Sequence, residues 1–371
     1  MPTFFALRLP RPLFFAGLLV TLSFSAALPP LAQAAAKDKT RLPLTETPPD
    51  EFVSFSQWKA VNTFIDDMVA KNGFDKQGLQ TVFNDTRHIN AALQLVKPAA
   101  SGKPKNWQAY RARFVEPVRI KAGAAFWSKY EADLNRAEAQ YGVPAEIIVA
   151  IIGVETVYGR NTGNFRVMDA IATLAFDYPD VSNREARMVF FRGELEQTLL
   201  FARDAGIDPF SLLGSYAGAI GWPQFMPGSI RRYAVDFDGD GHIDLRNSPV
   251  DAIGSVAHFL QEHGWQRALP TVFPAVMGLA NDGSNRWQEL TNQGLEAKFS
   301  LSDLKLAGVT PGLDAPANLN YGLIDLQNGL EPTEYWLATT NFFAVTFYNR
   351  SYFYAMSVID LAQALRAAHG L

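Results

Sequence analysis

The sequence predicts a mainly α protein with a minor β component, an α+β chain whose helices come first and last. Three observations carry this. Apolar residues recur at helical spacing with few breaks from Phe55 to His263; glycines and prolines then punctuate short apolar runs over 268–345; and a last stripe, Tyr354, Val358, Leu361 and Leu365, is helical again. In order, Trp58, Val61, Ile65, Met68 and Val69 mark a first amphipathic helix, and Leu79, Val82 and Phe83 mark a second beyond a break at Gly73. The segment 99–106, with Gly102 and Pro104, reads as a loop. One long helix is expected from Ile120 to Tyr141, closed by Gly142, with Pro144 opening the next in its first turn. Further helices are expected over Val189 to Ala205 and Asp251 to His263. After Trp265, the runs Asn320 to Leu326 and Glu334 to Thr340 have strand character, and Asn328-Gly329 between them is a hairpin signal.

The N-terminus is different material. Arg8 and Arg11 precede an apolar run from Leu13 to Leu28, and Ala32-Gln33-Ala34 supplies small residues where a signal peptidase would cut. The run is shorter than the ~20 residues of a spanning helix, so 1–36 reads as an export signal, with an uncleaved anchor as the alternative. Residues 37 to 49 form a polar, proline-bearing lead-in.

Across all 371 residues, 48% are apolar and 19% charged, which places the chain among globular proteins rather than disordered ones. Thirty-three Lys and Arg against 37 Asp and Glu leave a net charge of −4, without the basic field that phosphate-backbone binding needs, so nucleic acid is not an expected partner. The chain contains 0 cysteines, which excludes disulfides, thiol nucleophiles, Cys-held metals and a cysteine-linked lipid anchor. There is no H-E-x-x-H zinc motif, G-x-S-x-G elbow, phosphate loop or dinucleotide fingerprint, and His258 and His263 fall on different helix faces.

Three segments can carry chemistry. In the first, Ile147, Ile148, Ile151, Ile152 and Val154 make a helix apolar nearly all round, with Glu155 one turn before Gly159 and no cation at helical spacing from it. Such a carboxyl is either desolvated, with a raised pKa suited to a general acid, or it simply emerges into water at the helix end. The second runs from Ser215 to Ser229 through Gly221-Trp222-Pro223-Gln224-Phe225-Met226-Pro227. Glycine and proline forbid a continuous helix there, and an amide held between aromatic rings suits a sugar; a buried connecting loop is the plain alternative. The third places Asp236, Asp238, Asp240 and Asp244 at positions 1, 3, 5 and 9 of an EF-hand-type loop, with Gly241 at 6 and the His242 carbonyl at 7. Clustered carboxylates call for a hard cation, and one structural calcium is expected. Position 12 is Asn247 rather than Glu, so Asp251 is a late candidate ligand, and an Asx-rich turn without metal is the alternative.

Taken together, the chain from about Trp107 onward resembles the lytic murein transglycosylase B family of peptidoglycan-cleaving enzymes. The resemblance is carried by Tyr141 to Pro144, Ile152 to Thr156, Asp169 to Phe176, Gly193 to Glu196, Gln224 to Pro227, Asp240 to Ile243 and Tyr348 to Ser351. It implies a lysozyme-like catalytic core over 107–267 that includes the metal loop 236–251. Around this core lie a helical N-terminal region 37–106, the β-rich region 268–345 and a helix within 346–371 packing on the helical body. It also implies that Glu155 is the single acid/base, that Ser215, Gln224, Tyr348, Asn349 and Tyr354 line the glycan cleft, and that Tyr110 and Arg187 are further wall residues. For Tyr354, core packing beside Val358 and Leu361 is the competing role. Two departures stand out: Trp222-Pro223 where a more open Tyr-Gly pair is expected, and a metal loop one residue longer before Asp251.

The implied reaction cleaves between N-acetylmuramic acid and N-acetylglucosamine without water and leaves a 1,6-anhydro end. A hydrolytic muramidase and a calcium-dependent glycan-binding protein are the competing readings. The expected partners are peptidoglycan strands, with cell-wall synthesis or remodelling proteins besides, and no organic cofactor is called for. The expected location is the periplasm, as a soluble protein without a lipid anchor. Protein recovered from the periplasm should begin near Ala34 or Ala36 by intact mass; persistence of residues 1 to 30 in a membrane fraction would sink the export-signal reading.

Overall fold

A computed structural model describes residues 54–98, 104–312 and 315–370; the export-signal segment, the polar lead-in and most of the loop 99–106 lie outside the described residues. The centre of the molecule is the helix Ala145–Thr156, in which every residue except Glu146 and Glu155 is buried. An apolar surface this complete must be covered on all sides. Helices Pro117–Lys129, Glu131–Tyr141, Pro249–Glu262 and the C-terminal Tyr352–His369 cover it. Among the described residues no single helix is long and apolar enough to cross a membrane.

The first two amphipathic helices form as the spacing predicts, as Lys59–Asn72 and Lys76–Asp85, separated by Gly73 at φ 67°. Asp75 caps the second, its carboxylate accepting from the Gly78 amide at 2.6 Å. Their apolar faces meet the helix Val167–Phe176 through Phe64, Phe83 and Phe176, three rings 5.9–6.4 Å apart and close to edge-on.

The expected single helix from Ile120 to Tyr141 is two, Pro117–Lys129 and Glu131–Tyr141, broken at Tyr130. Neither glycine nor proline marks the break, and tertiary packing imposes it. Phe126 and Trp127 are buried near the end of the first helix, and the second must turn to lay Leu134 and Ala137 against Pro249–Glu262. Gly142, at φ 76°, then closes the helix as expected, but Pro144 is the residue before the central helix rather than part of its first turn. The Glu138 carboxylate accepts from the Ala145 amide at 3.0 Å in place of a cap that proline cannot supply.

Beyond the helical body lies a five-stranded antiparallel sheet in the order Phe299–Ser300, Asn320–Asn328, Glu331–Ala338, Val272–Met277, Val309–Pro311. Asn328 pairs with Glu331 across Gly329-Leu330, with Gly329 at φ 67°, so the hairpin signal marks a real turn. Alternation along Asn320–Asn328 divides its side chains: Ile324 and Leu326 join the main core, while Tyr321 and Leu323 join a small second core with Phe273, Leu304 and Leu337. Two helices interrupt the region expected to be largely β, Leu301–Leu306 behind a Ser300/Asp303 capping box and Thr340–Thr346 behind a Thr339 cap. The β-type run therefore ends at Ala338 and not at Thr340.

The C-terminal helix buries Tyr354, Val358, Leu361 and Leu365 along the stripe read from the sequence. Tyr158 wedges its ring between this helix, the helix Pro117–Lys129 and the central helix. It can do so because Gly123 and Gly153 lack side chains: a Cβ at Gly123 would collide with the Tyr158 hydroxyl and with Leu365, and one at Gly153 with the Tyr158 ring. Gly123→Ala should therefore lower stability by about 1–3 kcal/mol, as overpacking does, even though alanine favours a helix. Urea denaturation checks this, and an unchanged or raised midpoint would count against the wedge.

Candidate active site

Glu155 is the penultimate residue of the central helix, and the backbone beyond it turns sharply. Val157, Tyr158 and Gly159 have φ of 52°, 57° and 79°, three successive residues in the left-handed region. For β-branched Val157 this costs about 1–2 kcal/mol, so its surroundings must hold it. Thr156 is the main tether. Its hydroxyl bonds to the Ile152 and Trp222 carbonyls at 3.2 and 3.0 Å and accepts from the Gly159 amide at 3.0 Å.

The Glu155 carboxyl is half-buried. Its Oε1 accepts a hydrogen bond from the Tyr354 hydroxyl at 2.5 Å, and among the described residues no Lys or Arg forms an ion pair with it. Burial pushes its pKa from 4.5 up to about 7, against the opposing pull of the Tyr354 hydrogen bond. The site thus fits the desolvated alternative and not the solvated one. Tyr110, Tyr348 and Tyr354 all feel the glutamate's charge. Burial first, with that charge adding to it, raises Tyr110 to about 12 and Tyr348 and Tyr354 well above the ordinary tyrosine value. All three phenols keep their protons at neutral pH, and Tyr354 gives its own to Glu155 as a hydrogen bond. For Tyr354 the core-packing role holds, its ring buried beside Val358 and Leu361, and its hydroxyl in addition reaches Glu155.

A second wall comes from the loop after Ser215. Ile220 and Phe225 exchange backbone hydrogen bonds at 2.8 and 3.1 Å around Gln224, a non-glycine at φ 51°. The Gln224 amide nitrogen donates to the Thr162 and Gly221 carbonyls at 3.2 and 2.9 Å, which leaves its Oε1 to accept from a ligand. Tyr348 donates to the Pro223 carbonyl at 3.1 Å and so joins this loop to the tyrosine ring. The Ser215 hydroxyl accepts from the Ala219 amide at 3.0 Å and retains its own proton. Asn349, half-buried, occupies the turn between Thr340–Thr346 and Tyr352–His369. Arg187 is engaged elsewhere: its Nε donates to the Tyr178 hydroxyl at 3.0 Å and its charge acts on Tyr216.

In the acidic loop, carboxylate oxygens of Asp236, Asp238 and Asp251 lie within 4.8 Å of one another. Asp251, 1% exposed, comes from the first turn of Pro249–Glu262 and accepts from the Phe237, Asp238 and Asp244 amides. Asp240 lies outside this cluster, its Oδ1 accepting from the His242 amide at 2.8 Å. An all-oxygen set with one buried carboxylate fits a hard cation such as calcium. The loop is also wired to the cleft. Trp222 donates through its amide to the Leu245 carbonyl at 2.8 Å and through its indole to the Arg246 carbonyl at 3.0 Å.

Composition and pattern do not single out Arg119, Gly123, Thr156 or the Pro223 carbonyl. Arg119 and Thr156 act through backbone carbonyls, and no residue-type pattern marks a carbonyl acceptor.

A carboxylic acid with a pKa near neutrality, without a Lys or Arg partner among the described residues, hydrogen-bonded to Tyr354 and set in a lysozyme-like helical body, marks an enzyme that cleaves glycosidic bonds. The description "Transglycosylase SLT domain" matches residues 54–363. The membrane-bound lytic murein transglycosylase B of Escherichia coli (strain K12) is 44% identical over 316 residues, 82% of each chain. Among solved structures, a soluble lytic transglycosylase of Pseudomonas aeruginosa superposes with a TM-score of 0.75 at 43% identity, covering 84% of this chain and all of that one. An Escherichia coli lytic transglycosylase in complex with calcium gives 0.73 at 42% identity, over 85% of this chain and 96% of that one. The chain belongs to the transglycosylase SLT domain family and is a lytic murein transglycosylase, an enzyme acting on the glycosidic bonds of peptidoglycan.

The raised Glu155 pKa also bears on stability. The folded protein holds this proton between pH 4.5 and about 7 while the unfolded chain does not, so stability falls as pH rises through that window. Above it the penalty is complete, on the order of 3 kcal/mol. Glu155→Gln should therefore melt higher than the wild type at pH 8 and near the wild-type temperature at pH 4.5. Equal melting temperatures at both pH values would show that the carboxyl is not desolvated.

Proposed function

We propose that Glu155 acts first as the acid and then as the base of a non-hydrolytic cleavage between N-acetylmuramic acid and N-acetylglucosamine. The observation that carries this is the half-buried carboxyl, unpaired by any Lys or Arg among the described residues, with a pKa of about 7 and one oxygen engaged by Tyr354. With Tyr354 donating to Oε1, the acidic proton is best placed on Oε2, from which it passes to the glycosidic oxygen as the bond to the muramyl anomeric carbon breaks. The departing N-acetylglucosamine takes that proton. Positive charge develops on the muramyl ring, and the substrate's own N-acetyl group stabilises it, which is why a second carboxylate is not required. The Tyr354 hydrogen bond now stabilises the Glu155 carboxylate. That carboxylate removes the proton from the muramyl 6-hydroxyl as its oxygen bonds to the anomeric carbon, closing the 1,6-anhydro ring and returning Glu155 to its acid form. Both product halves together contain the atoms of the substrate and nothing more.

Ser215, Gln224, Tyr348 and Asn349 orient the glycan, with Tyr110 and Arg187 farther along the cleft. Their hydroxyl and amide groups match sugar hydroxyls, and the rings match the apolar sugar faces. Asp236, Asp238 and Asp251 would hold one calcium, with Asp240 and the His242 carbonyl as further donors, and the ion would supply charge neutralisation to a loop that braces Trp222. The protein acts in the periplasm as a soluble enzyme after loss of residues 1–36.

Glu155→Gln should fold and still bind glycan but lose turnover of murein sacculi by roughly 10²- to 10⁴-fold, the usual cost of a missing general acid. Products of the wild type should carry anhydro ends of unchanged total mass; a gain of one water per cut would show a hydrolase instead. As pH rises through about 7 the acid form is lost, so kcat/KM should fall on that side of the profile. Calcium at 100 times its Kd should add about 2.7 kcal/mol of stability, and Asp236→Ala should abolish the gain. Identical melting curves in calcium and in chelator would remove the ion from the account.

A further inference from the structure

The strained turn after Glu155 needs an outside support, and Arg119 supplies one that the reaction as described does not use. Arg119 lies in the first turn of Pro117–Lys129, with its side chain 11% exposed. Its Nε donates to the Gly153 carbonyl at 3.0 Å, the same oxygen that accepts from the Val157 amide at 3.1 Å. A cation at this end of the helix is favoured by the helix dipole. The other side of the guanidinium points away from the helix. Its Nη1 donates to the Arg113 carbonyl at 2.6 Å and the Phe114 carbonyl at 3.1 Å. These two residues lie just beyond Ala112, the C-cap of the short helix Trp107–Arg111, which carries Tyr110. Glu116 stands 3.7 Å from the guanidinium and offsets its charge, while its carboxylate caps the same helix through the Val118 and Arg119 amides.

One planar fork therefore joins the backbone two residues before the acid to the segment beneath the Tyr110 wall. We propose that Arg119 is a positioning residue of this enzyme, fixing the distance between Glu155 and the Tyr110 wall by clamping the Gly153 carbonyl to those of Arg113 and Phe114. Arginine suits the task because its donors diverge from a rigid plane, whereas a lysine ammonium cannot span the two segments with the same geometry. Without the fork, the helix end and the Tyr110 segment separate, and water gains access to the carboxyl. The ionisable groups facing Glu155 are Tyr110, Tyr348 and Tyr354, with Arg113 over the Tyr110 ring at 5.6 Å. None of them supplies the connection that Arg119 makes.

The proposal rests on Glu155 being the acid, and the experiment keeps the two apart. Arg119→Met and Arg119→Lys are compared with the wild type and with Glu155→Gln for turnover of murein sacculi from pH 5 to 9, alongside melting temperature. Arg119→Met should lower kcat about 10- to 100-fold with a smaller change in KM, as a misplaced acid does. The high-pH limb of its profile should also move to lower pH, because a hydrated Glu155 ionises earlier. Arg119→Lys should fall between the two. The proposal is overturned if activity falls only in proportion to the unfolded fraction with the pH limb unmoved, or if Arg119→Lys matches the wild type in kcat and pH profile. Should Arg119→Met fail to fold, Arg119→Lys alone decides on those criteria. An active Glu155→Gln would sink the assignment of the acid; an inactive Glu155→Gln with wild-type behaviour in both Arg119 variants would sink only the clamp.

Discussion

The hydrogen bond from Tyr354 to Glu155 is the contact on which the rest of the site depends. It can exist only because two helices far apart in sequence, Ala145–Thr156 and Tyr352–His369, pack along each other with apolar faces. Burial would leave the carboxylate without any compensating partner after it gives up its proton, and the phenol supplies one donor at that moment. A cation in the same place would stabilise the carboxylate too well and strip the residue of its acidity near neutral pH. A neutral donor held protonated by its own burial supports both states of the acid.

Much of this was legible in the residues and some of it was not. The run of isoleucine and valine around Glu155, with no cation at helical spacing, leaves a desolvated carboxyl and one emerging into water both open, and the structure fits the first. The roles expected of Ser215 and Asn349 came from resemblance to a family, because a serine or an amide in a loop has too many ordinary uses, whereas Gln224 stood out by its setting between aromatic residues. The break at Tyr130 escaped the sequence because it is caused by what the following helix must cover. The helices Leu301–Leu306 and Thr340–Thr346 were hidden inside a glycine- and proline-rich region, although the serine and threonine that cap them were visible. In the acidic loop, spacing marked Asp236 and Asp238 as neighbours and offered Asp251 as a late candidate; the fold brings all three together, with Asp240 outside the cluster.

The cleft walls are held chiefly through backbone carbonyls. Thr156 and Tyr348 bond to the Trp222 and Pro223 carbonyls, and Trp222 bonds in turn to those of Leu245 and Arg246. Apart from the bond of the Trp222 indole to the Arg246 carbonyl, these ties do not depend on which side chains stand at 222 and 223, so those can differ while the loop keeps its course. That accommodates the Trp222-Pro223 departure from the expected Tyr-Gly pair.

The strand Asn320–Asn328 has a consequence for how the protein could have been assembled. Its even-numbered apolar side chains belong to the helical body and its odd-numbered ones to the small sheet's own core, so a single backbone segment is shared by two interiors. A gene fragment encoding the helical part alone would expose Ile324 and Leu326's vacant seats, and one encoding the sheet alone would expose those two side chains to water. Neither half is a module that recombination could exchange intact. The sheet is anchored in the helical body by one face of a single strand and closed on the other by a core of its own.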